Sequence, residues 1–186
     1  MSRFVNFLLY QTGWFACVLG AAWGFQGLGV CIALCLVGTH FWLATDRSLQ
    51  IRLAIIAAAL GLLVDCTQLW AGVFTFSQGR VLDWLPPPFM TVLWIQFATT
   101  FRYCMSWLSG RYGLGAGFGL LGAPLAFYAG ERLGAIDFLT PRPLHFAVLG
   151  CLWCIVVPVL VYISDRLASH PAPAPNYRWL LAAASE

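Results

Sequence analysis

Charge is scarce in this chain. Only 9% of its 186 residues are charged, whereas a soluble domain usually carries about a quarter. Hydrophobic residues make up 61% of the chain, and the mean hydropathy is +0.80. A soluble chain of this length still exposes roughly a third of its surface, so this much apolar surface has no place in one soluble core. The composition therefore excludes a soluble globular domain and indicates a lipid environment.

Lysine is missing altogether, and all ten basic residues are Arg. A GC-rich genome explains this, as does a preference for anionic headgroups. The formal net charge of +3 is small, and no basic patch is interleaved with aromatic residues, so we expect no nucleic-acid partner. The sequence also lacks G-x-S-x-G, H-E-x-x-H and P-loop motifs. Common soluble-enzyme templates are thereby excluded, and whether the protein is an enzyme stays open.

Apolar runs dominate what is present. A membrane span needs about 20 predominantly apolar residues, and short polar or Pro/Gly-marked breaks divide the chain into candidate runs of about that length. We therefore predict an all-α, polytopic transmembrane helix bundle of about six spans, with both termini on one side. The predicted spans are 4–21, 24–44, 51–74, 88–108, 113–131 and 144–165.

Arginine placement predicts the orientation, because cytoplasmic loops carry an excess of Arg and Lys. The side that holds both termini collects more arginines than the other side, which predicts cytoplasmic termini. On the first side are Arg3, Arg47, Arg52, Arg111, Arg166 and Arg178, with Arg102 just inside the fourth span; on the other are Arg80, Arg132 and Arg142.

The end of the chain differs in composition from the bundle. We assign residues 1–168 to the transmembrane domain and 169–186 to a tail. The stretch HPAPAPNYRWLLAAASE is typical of a polyproline spacer followed by a short helix that rests on the membrane surface. A disordered tail is the alternative.

Asp65 lies near the middle of the third predicted span, where an acid costs roughly 2.5–3.5 kcal/mol on insertion scales. Gln96 in the adjacent antiparallel span lies at a similar predicted depth, about 12–14 Å below the outer surface. Gln68 is one turn from Asp65, and Gln11 also falls near mid-membrane. We expect these four side chains to form a polar cluster in the bundle interior.

Two interpretations of Asp65 stay open. In one, a protonated Asp65 donates a hydrogen bond that fixes helix register; in the other, it handles protons or binds a polar headgroup. Trp14 and Trp94 lie near mid-span, where they either pack against lipid or form the walls for a flat or acyl ligand. Pro124 is expected to bend the fifth span and shape a cavity beside Tyr128.

Seven cysteines lie inside apolar runs, which is not the pattern of an extracellular disulfide framework. We interpret them as small buried hydrophobes. Cys151 and Cys154 form a C-x-x-C pair in mid-helix, and redox activity or packing are both open for it. His40 has no second His or carboxylate at metal-ligand spacing, so we expect no metal.

Glycines repeat in the fifth span. The stretch GFGLLG matches a dinucleotide fingerprint in letters only, because no strand precedes it, and we expect no cofactor. Small residues at helical spacing instead predict a face for a partner helix. Its members are Gly115, Gly119, Gly122 and Ala126.

Several stretches resemble a bacterial family of unknown function, whose members are small multi-span inner-membrane proteins. They are QTGWFACVLGAAWG, LPPPFMTVLWIQFATT, SWL and GAPLAFYAGERLGA, together with the mid-span Asp65. The resemblance covers nearly the whole chain before the tail and implies a location in the bacterial inner membrane. Family members tend to be encoded near enzymes similar to cyclopropane-fatty-acid synthases and flavin amine oxidases, which implies a link to fatty-acyl modification.

Three functions follow as hypotheses. The first is a protein that binds or handles membrane lipids, with a pocket that opens laterally to the bilayer and has Asp65 at its floor. The second is a non-catalytic subunit or assembly factor of a membrane complex. The third is a small transporter driven by protonation of Asp65, although no convincing inverted repeat supports it.

Overall fold

The computed structural model describes residues 1–76, 82 and 84–169, so the predicted tail lies almost wholly outside the described residues. The fold is a bundle of α-helices, as predicted. Five helices are long and apolar enough to cross a membrane, and α4, with 11 residues, is shorter. The helices are α1 (Arg3–Ala22), α2 (Gln26–Leu43), α3 (Arg47–Trp70), α4 (Pro88–Ala98), α5 (Tyr112–Arg132) and α6 (Arg142–Ser169).

One end of the bundle is closed by a small strand pair that the sequence did not predict. Gly72 and Gly134 have φ of +69° and +88° and follow the ends of α3 and α5. These left-handed turns suit glycine, and they lead into β1 (Phe74–Thr75) and β2 (Asp137–Phe138), which pair antiparallel. Phe74, the first residue of β1, is fully buried. We call this end of the bundle the Phe74 end.

The opposite end of the bundle, which we call the Asn6 end, contains the start of α1 and the end of α6. Near the start of α1, Asn6 Oδ1 accepts a hydrogen bond from the Cys104 N–H at 3.1 Å. Near the end of α6, Asp165 accepts from the Ser109 hydroxyl at 2.6 Å. Segment 103–109 thus contacts both helices, and the start of α1 and the end of α6 share one end of the bundle.

The fourth predicted span, 88–108, is not one helix. Regular helix ends at Ala98, turns follow, and a 3₁₀ turn covers Ser106–Leu108. The hydroxyls of Thr99 and Thr100 each donate to a carbonyl three residues earlier, both at 2.6 Å. Such local side-chain bonds compete with the helical ladder. The chain nevertheless reaches the Asn6 end, so its described residues traverse the bundle six times.

Asn6 satisfies the backbone groups that this break sets free. Its side chain is fully buried; Nδ2 donates to the Thr99 carbonyl at 3.2 Å, and Oδ1 accepts from the Cys104 N–H. Without water in the bilayer core, such groups must find partners inside the protein. The break in the fourth crossing is therefore tied to α1.

Asn6 also determines which ring nitrogen of His40 carries the proton. Because one backbone donor and one backbone acceptor fix the Asn6 amide, Nδ2 must donate to His40 Nδ1, at 3.3 Å. His40 Nε2 then carries the proton and donates to Gln50 Oε1 at 3.3 Å, and Gln50 Nε2 donates to Asp46 at 3.4 Å. The network assigns a neutral His40 with its proton on Nε2.

Replacing Asn6 by leucine should destabilise the bundle, because it leaves the Thr99 carbonyl and the Cys104 N–H buried without partners. The expected loss is about 1–3 kcal/mol, measured as a lower midpoint of thermal unfolding in detergent. Thr39→Val is the control, since the Thr39 hydroxyl is exposed and bonds only to its own helix. Equal midpoints for the two variants would contradict the role given to Asn6.

An aromatic cavity as the candidate functional site

A cavity of about 180 Å³ lies between α1, α4, α5 and α6. Eight of its nineteen lining residues are aromatic, and no charged residue of the described chain lines it. The aromatic members are Tyr10, Trp14, Phe89, Trp94, Phe97, Phe118, Phe127 and Trp153. Trp14 and Trp94 were predicted as walls of a ligand site, and the structure brings both to this cavity.

Small residues of α5 make the space and the opening. Gly122 and Ala126 line the cavity; Gly122 is half-buried and Ala126 is exposed. Helix α5 packs chiefly on α6, whereas α1 packs on α2 and α4. Because α1 and α5 have different main neighbours, a gap between them stays unfilled. It opens on the side of the bundle that would face lipid.

Other small residues on α5 are already used within the chain. A Cβ at Gly119 would overlap the carbonyl of Trp153, and one at Gly115 would touch Val157. The predicted docking face is thus divided: Gly115 and Gly119 face α6 of the same chain, and Gly119, Gly122 and Ala126 line the cavity. Docking of a second membrane protein stays a prediction.

Asp65 lies behind the cavity wall. Trp94 Nε1 donates a hydrogen bond to Asp65 Oδ2 at 2.8 Å, and the two residues are only 3% and 1% exposed. Within the described residues, Asp65 Oδ1 has no hydrogen-bond partner. Asp65 is not among the residues that line the cavity. Trp94 therefore stands between the acid and the cavity.

Trp94 is enclosed on both faces. A Cβ at Gly61 of α3 would overlap its indole ring, so α3 approaches Trp94 closely at a residue without a side chain. From α6, Trp153 stacks on Trp94 with ring centroids 4.8 Å apart and an angle of 18° between the planes. The indole is held between two helices, and its polar edge is bonded to Asp65.

Gln96 turns away from Asp65. Residues two apart on a helix differ by about 200° in direction, so Trp94 and Gln96 leave α4 on opposite sides. Gln96 crosses to α1, where it lies against Gly13, and its Nε2 is 3.7 Å from Cys17 Sγ. Although Asp65 and Gln96 were predicted to lie at a similar depth, their side chains do not meet.

The other predicted polar residues are also separate. Gln68 is buried, and its Nε2 donates to the carbonyl of Val64 on its own helix at 3.5 Å. Gln11 is half-buried and lies about 200° around α1 from Gly13, the residue that faces Gln96. In the part of the chain that is described, no hydrogen bond joins any two of the four predicted cluster members.

Tyr128 does not contribute to the cavity. It is 50% exposed, and its ring packs against Phe146 with centroids 6.3 Å apart. Tyr10 and Phe97 line the cavity without having been predicted. Tyr10 lies four residues before Trp14 on α1, so helical spacing carried a signal for it.

Cys151 is exposed, Cys154 is half-buried, and both are free thiols.

The chain matches the model of a family described as "Protein of unknown function (DUF2878)" over residues 3–159. The match covers most of the chain. The chain belongs to this family. Comparison with curated proteins and with solved structures finds no significant match. Membership in this DUF2878 family therefore brings no activity with it, and the function has to be argued from the cavity.

A side chain at residue 61 should disturb the cavity wall. In Gly61→Val the new methyl groups overlap the Trp94 indole, and overpacking of this kind typically costs about 1–3 kcal/mol. This loss of stability is measured as a lower midpoint of thermal unfolding in detergent. Gly38→Val is the control, because Gly38 lies in a helix with nothing within 4 Å of its Cβ position. If both variants unfold at the wild-type temperature, the packing described for Trp94 is wrong.

Proposed function

We propose that this protein binds the hydrocarbon chain of a membrane lipid in the cavity between α1 and α5. The supporting observation is a 180 Å³ space with eight aromatic residues in its wall and, among the described residues, no charged one. The wall follows α5 from Phe118 to Gly130, a rise of about 18 Å, and so has an elongated shape. An acyl chain is an elongated apolar ligand that matches it.

Packing, rather than removal from water, would supply the affinity. A lipid chain that leaves the bilayer is already surrounded by hydrocarbon, so the hydrophobic effect contributes little. Dispersion contacts with fixed aromatic rings are individually small but numerous. Since no charged group in the described part of the chain lines the cavity, the site should distinguish lipids by chain shape rather than by headgroup.

The resemblance to bacterial inner-membrane proteins gives this proposal a setting. We infer a location in the bacterial inner membrane and a connection to fatty-acyl modification, in which the protein presents or holds a chain. The assembly-factor hypothesis shares one observation with this proposal, because an apolar side chain from a partner would also fit the opening at Gly122 and Ala126. The transporter hypothesis stays an untested alternative.

Charge placement supports cytoplasmic termini. Of the described residues, the basic excess gathers at the Asn6 end, and charges at the Phe74 end balance. The rule that cytoplasmic segments are rich in Arg favours the Asn6 end as cytoplasmic. At the Asn6 end are Arg3, Arg47, Arg52, Arg102, Arg111 and Arg166 with Asp46 and Asp165; at the Phe74 end are Arg132 and Arg142 with Glu131 and Asp137.

Filling the cavity should reduce lipid binding. Gly122→Leu projects a side chain into the space, and Gly117→Leu places the same side chain on the same helix where nothing lies within 4 Å. We expect several-fold less lipid retained per protein in Gly122→Leu than in wild type, and no change in Gly117→Leu. Native mass spectrometry after mild detergent extraction gives the ratio directly.

One outcome of that comparison contradicts the proposal, and another removes the support that Gly122→Leu would give it. Lipid retention by Gly122→Leu at the wild-type level would exclude the cavity as the binding site. An equal loss in Gly117→Leu would mean that leucine on α5 disturbs the protein generally. If instead a co-purifying protein is lost from Gly122→Leu while lipid is retained, the assembly-factor alternative gains support.

Reporter fusions test the orientation. Alkaline phosphatase fused after Gly72 at the Phe74 end should be active, because the enzyme folds only outside the cytoplasm. The same reporter fused after Ser169 at the Asn6 end should be inactive, and green fluorescent protein at that position should fluoresce. The reversed pattern of activities would overturn the assignment of cytoplasmic termini.

A further inference from the structure

We propose that Asp65 is a positioning residue for the cavity: it fixes the Trp94 indole as part of the wall and does not itself contact the bound chain. This inference rests on the proposed function, since it concerns how the lipid cavity keeps its shape. It gives the intramembrane acid a role that needs neither proton transfer nor contact with a headgroup.

Helix α3 supplies two residues that together hold the Trp94 indole. Gly61 provides the close approach that admits the indole face, and Asp65, four residues later, accepts from the indole N–H. Residues four apart lie on the same face of a helix. The spacing Gly-x-x-x-Asp therefore places a gap and an acceptor next to each other, and a tryptophan from α4 fits both.

The hydrogen bond that fixes Trp94 also affects the neighbouring ring of Trp153. In the described part of the chain, Trp153 Nε1 is buried and has no hydrogen-bond partner, so no polar contact there fixes that ring. Its position depends on packing: it stacks on Trp94 at 4.8 Å and meets Phe97 at 5.8 Å and Phe127 at 6.2 Å between centroids. All four rings line the cavity.

Without the hydrogen bond to Asp65, the Trp94 ring can turn into the empty cavity beside it. The indole N–H would be left without an acceptor in an apolar environment, and the adjoining 180 Å³ cavity gives the ring room to turn. A displaced indole would occupy volume that the lipid chain uses. Loss of the hydrogen bond should therefore reduce lipid retention as well as packing.

The chemistry of the acceptor separates this proposal from proton handling. An asparagine at position 65 keeps an oxygen that accepts from the indole N–H but cannot ionise. A leucine of similar size has no acceptor. Positioning predicts that Asp65→Asn behaves like wild type and that Asp65→Leu does not. Proton handling predicts that both variants fail.

The experiment compares wild type, Asp65→Asn, Asp65→Leu and, as a control on the same helix, Thr67→Val, whose exposed hydroxyl bonds only to the Leu63 carbonyl. Retained lipid is measured by native mass spectrometry. The indole N–H resonances are recorded by NMR on protein labelled with ¹⁵N-tryptophan, and Trp94→Phe identifies the Trp94 signal. This signal reports the hydrogen bond itself, which general stability does not.

We expect Asp65→Asn and Thr67→Val to keep the lipid and a hydrogen-bonded Trp94 signal. Asp65→Leu should retain several-fold less lipid, with the Trp94 signal moved toward that of a free indole. If Asp65→Leu does not fold, Trp94→Phe serves instead, since it keeps an aromatic ring, removes the N–H and should also lower lipid retention.

The inference is overturned if Asp65→Asn loses lipid while its Trp94 signal is unchanged, or if Asp65→Leu or a folded Trp94→Phe keeps the wild-type amount. Its failure is distinguishable from failure of the proposed function. If wild type carries no lipid and Gly122→Leu makes no difference, the lipid site itself is wrong, and the positioning inference falls with it.

Discussion

A single hydrogen bond, from the Trp94 indole to Asp65, connects the parts of this bundle that matter for the cavity. Both of its partners are buried. Hydrogen bonds between membrane helices average about 0.6 kcal/mol and reach roughly 1.7 kcal/mol, so its contribution to stability is modest. Its geometric effect is larger, because it fixes the orientation of a ring that also stacks on α6.

The short helix α4 explains why such polar contacts are needed. Helices in lipid gain little from the hydrophobic effect when they associate, so close packing and polar contacts hold them. Helix α4 has both kinds of contact: Trp94 bonds to α3, and Gln96 lies against Gly13 of α1. The turns that follow it are bonded to Asn6. The broken crossing is thereby attached to its neighbours at several depths.

The helices were predictable because hydrocarbon thickness sets the length of an apolar run. The break after Ala98 was not, since the threonine hydroxyls that accompany it act through local geometry. Asp65 is buried, as expected, but among the described residues its hydrogen-bond partner is Trp94 rather than a predicted glutamine, and depth alone did not indicate this. The angular positions of Trp94 and Gln96, about 200° apart on α4, decided that Trp94 is the partner.

A pocket that opens laterally was expected from the sequence, but the helices that enclose it were not. It exists because α5 associates chiefly with α6 while α1 associates with α2 and α4, and the order of helices around a bundle is not written in hydropathy. The network around Asn6 was missed for a related reason. An asparagine in the second turn of α1 has the pattern of an interfacial residue, and only the break in the fourth crossing gives it buried partners.

The most direct test is an experimental density map of the protein in nanodiscs made from the lipids of its own membrane, at a resolution that shows side chains. The account predicts an elongated density between α1 and α5, in contact with Trp14, Trp94 and Gly122, with the Trp94 indole N–H directed at Asp65. Direct contact between α1 and α5 with no density between them, or an indole turned away from Asp65, would contradict it.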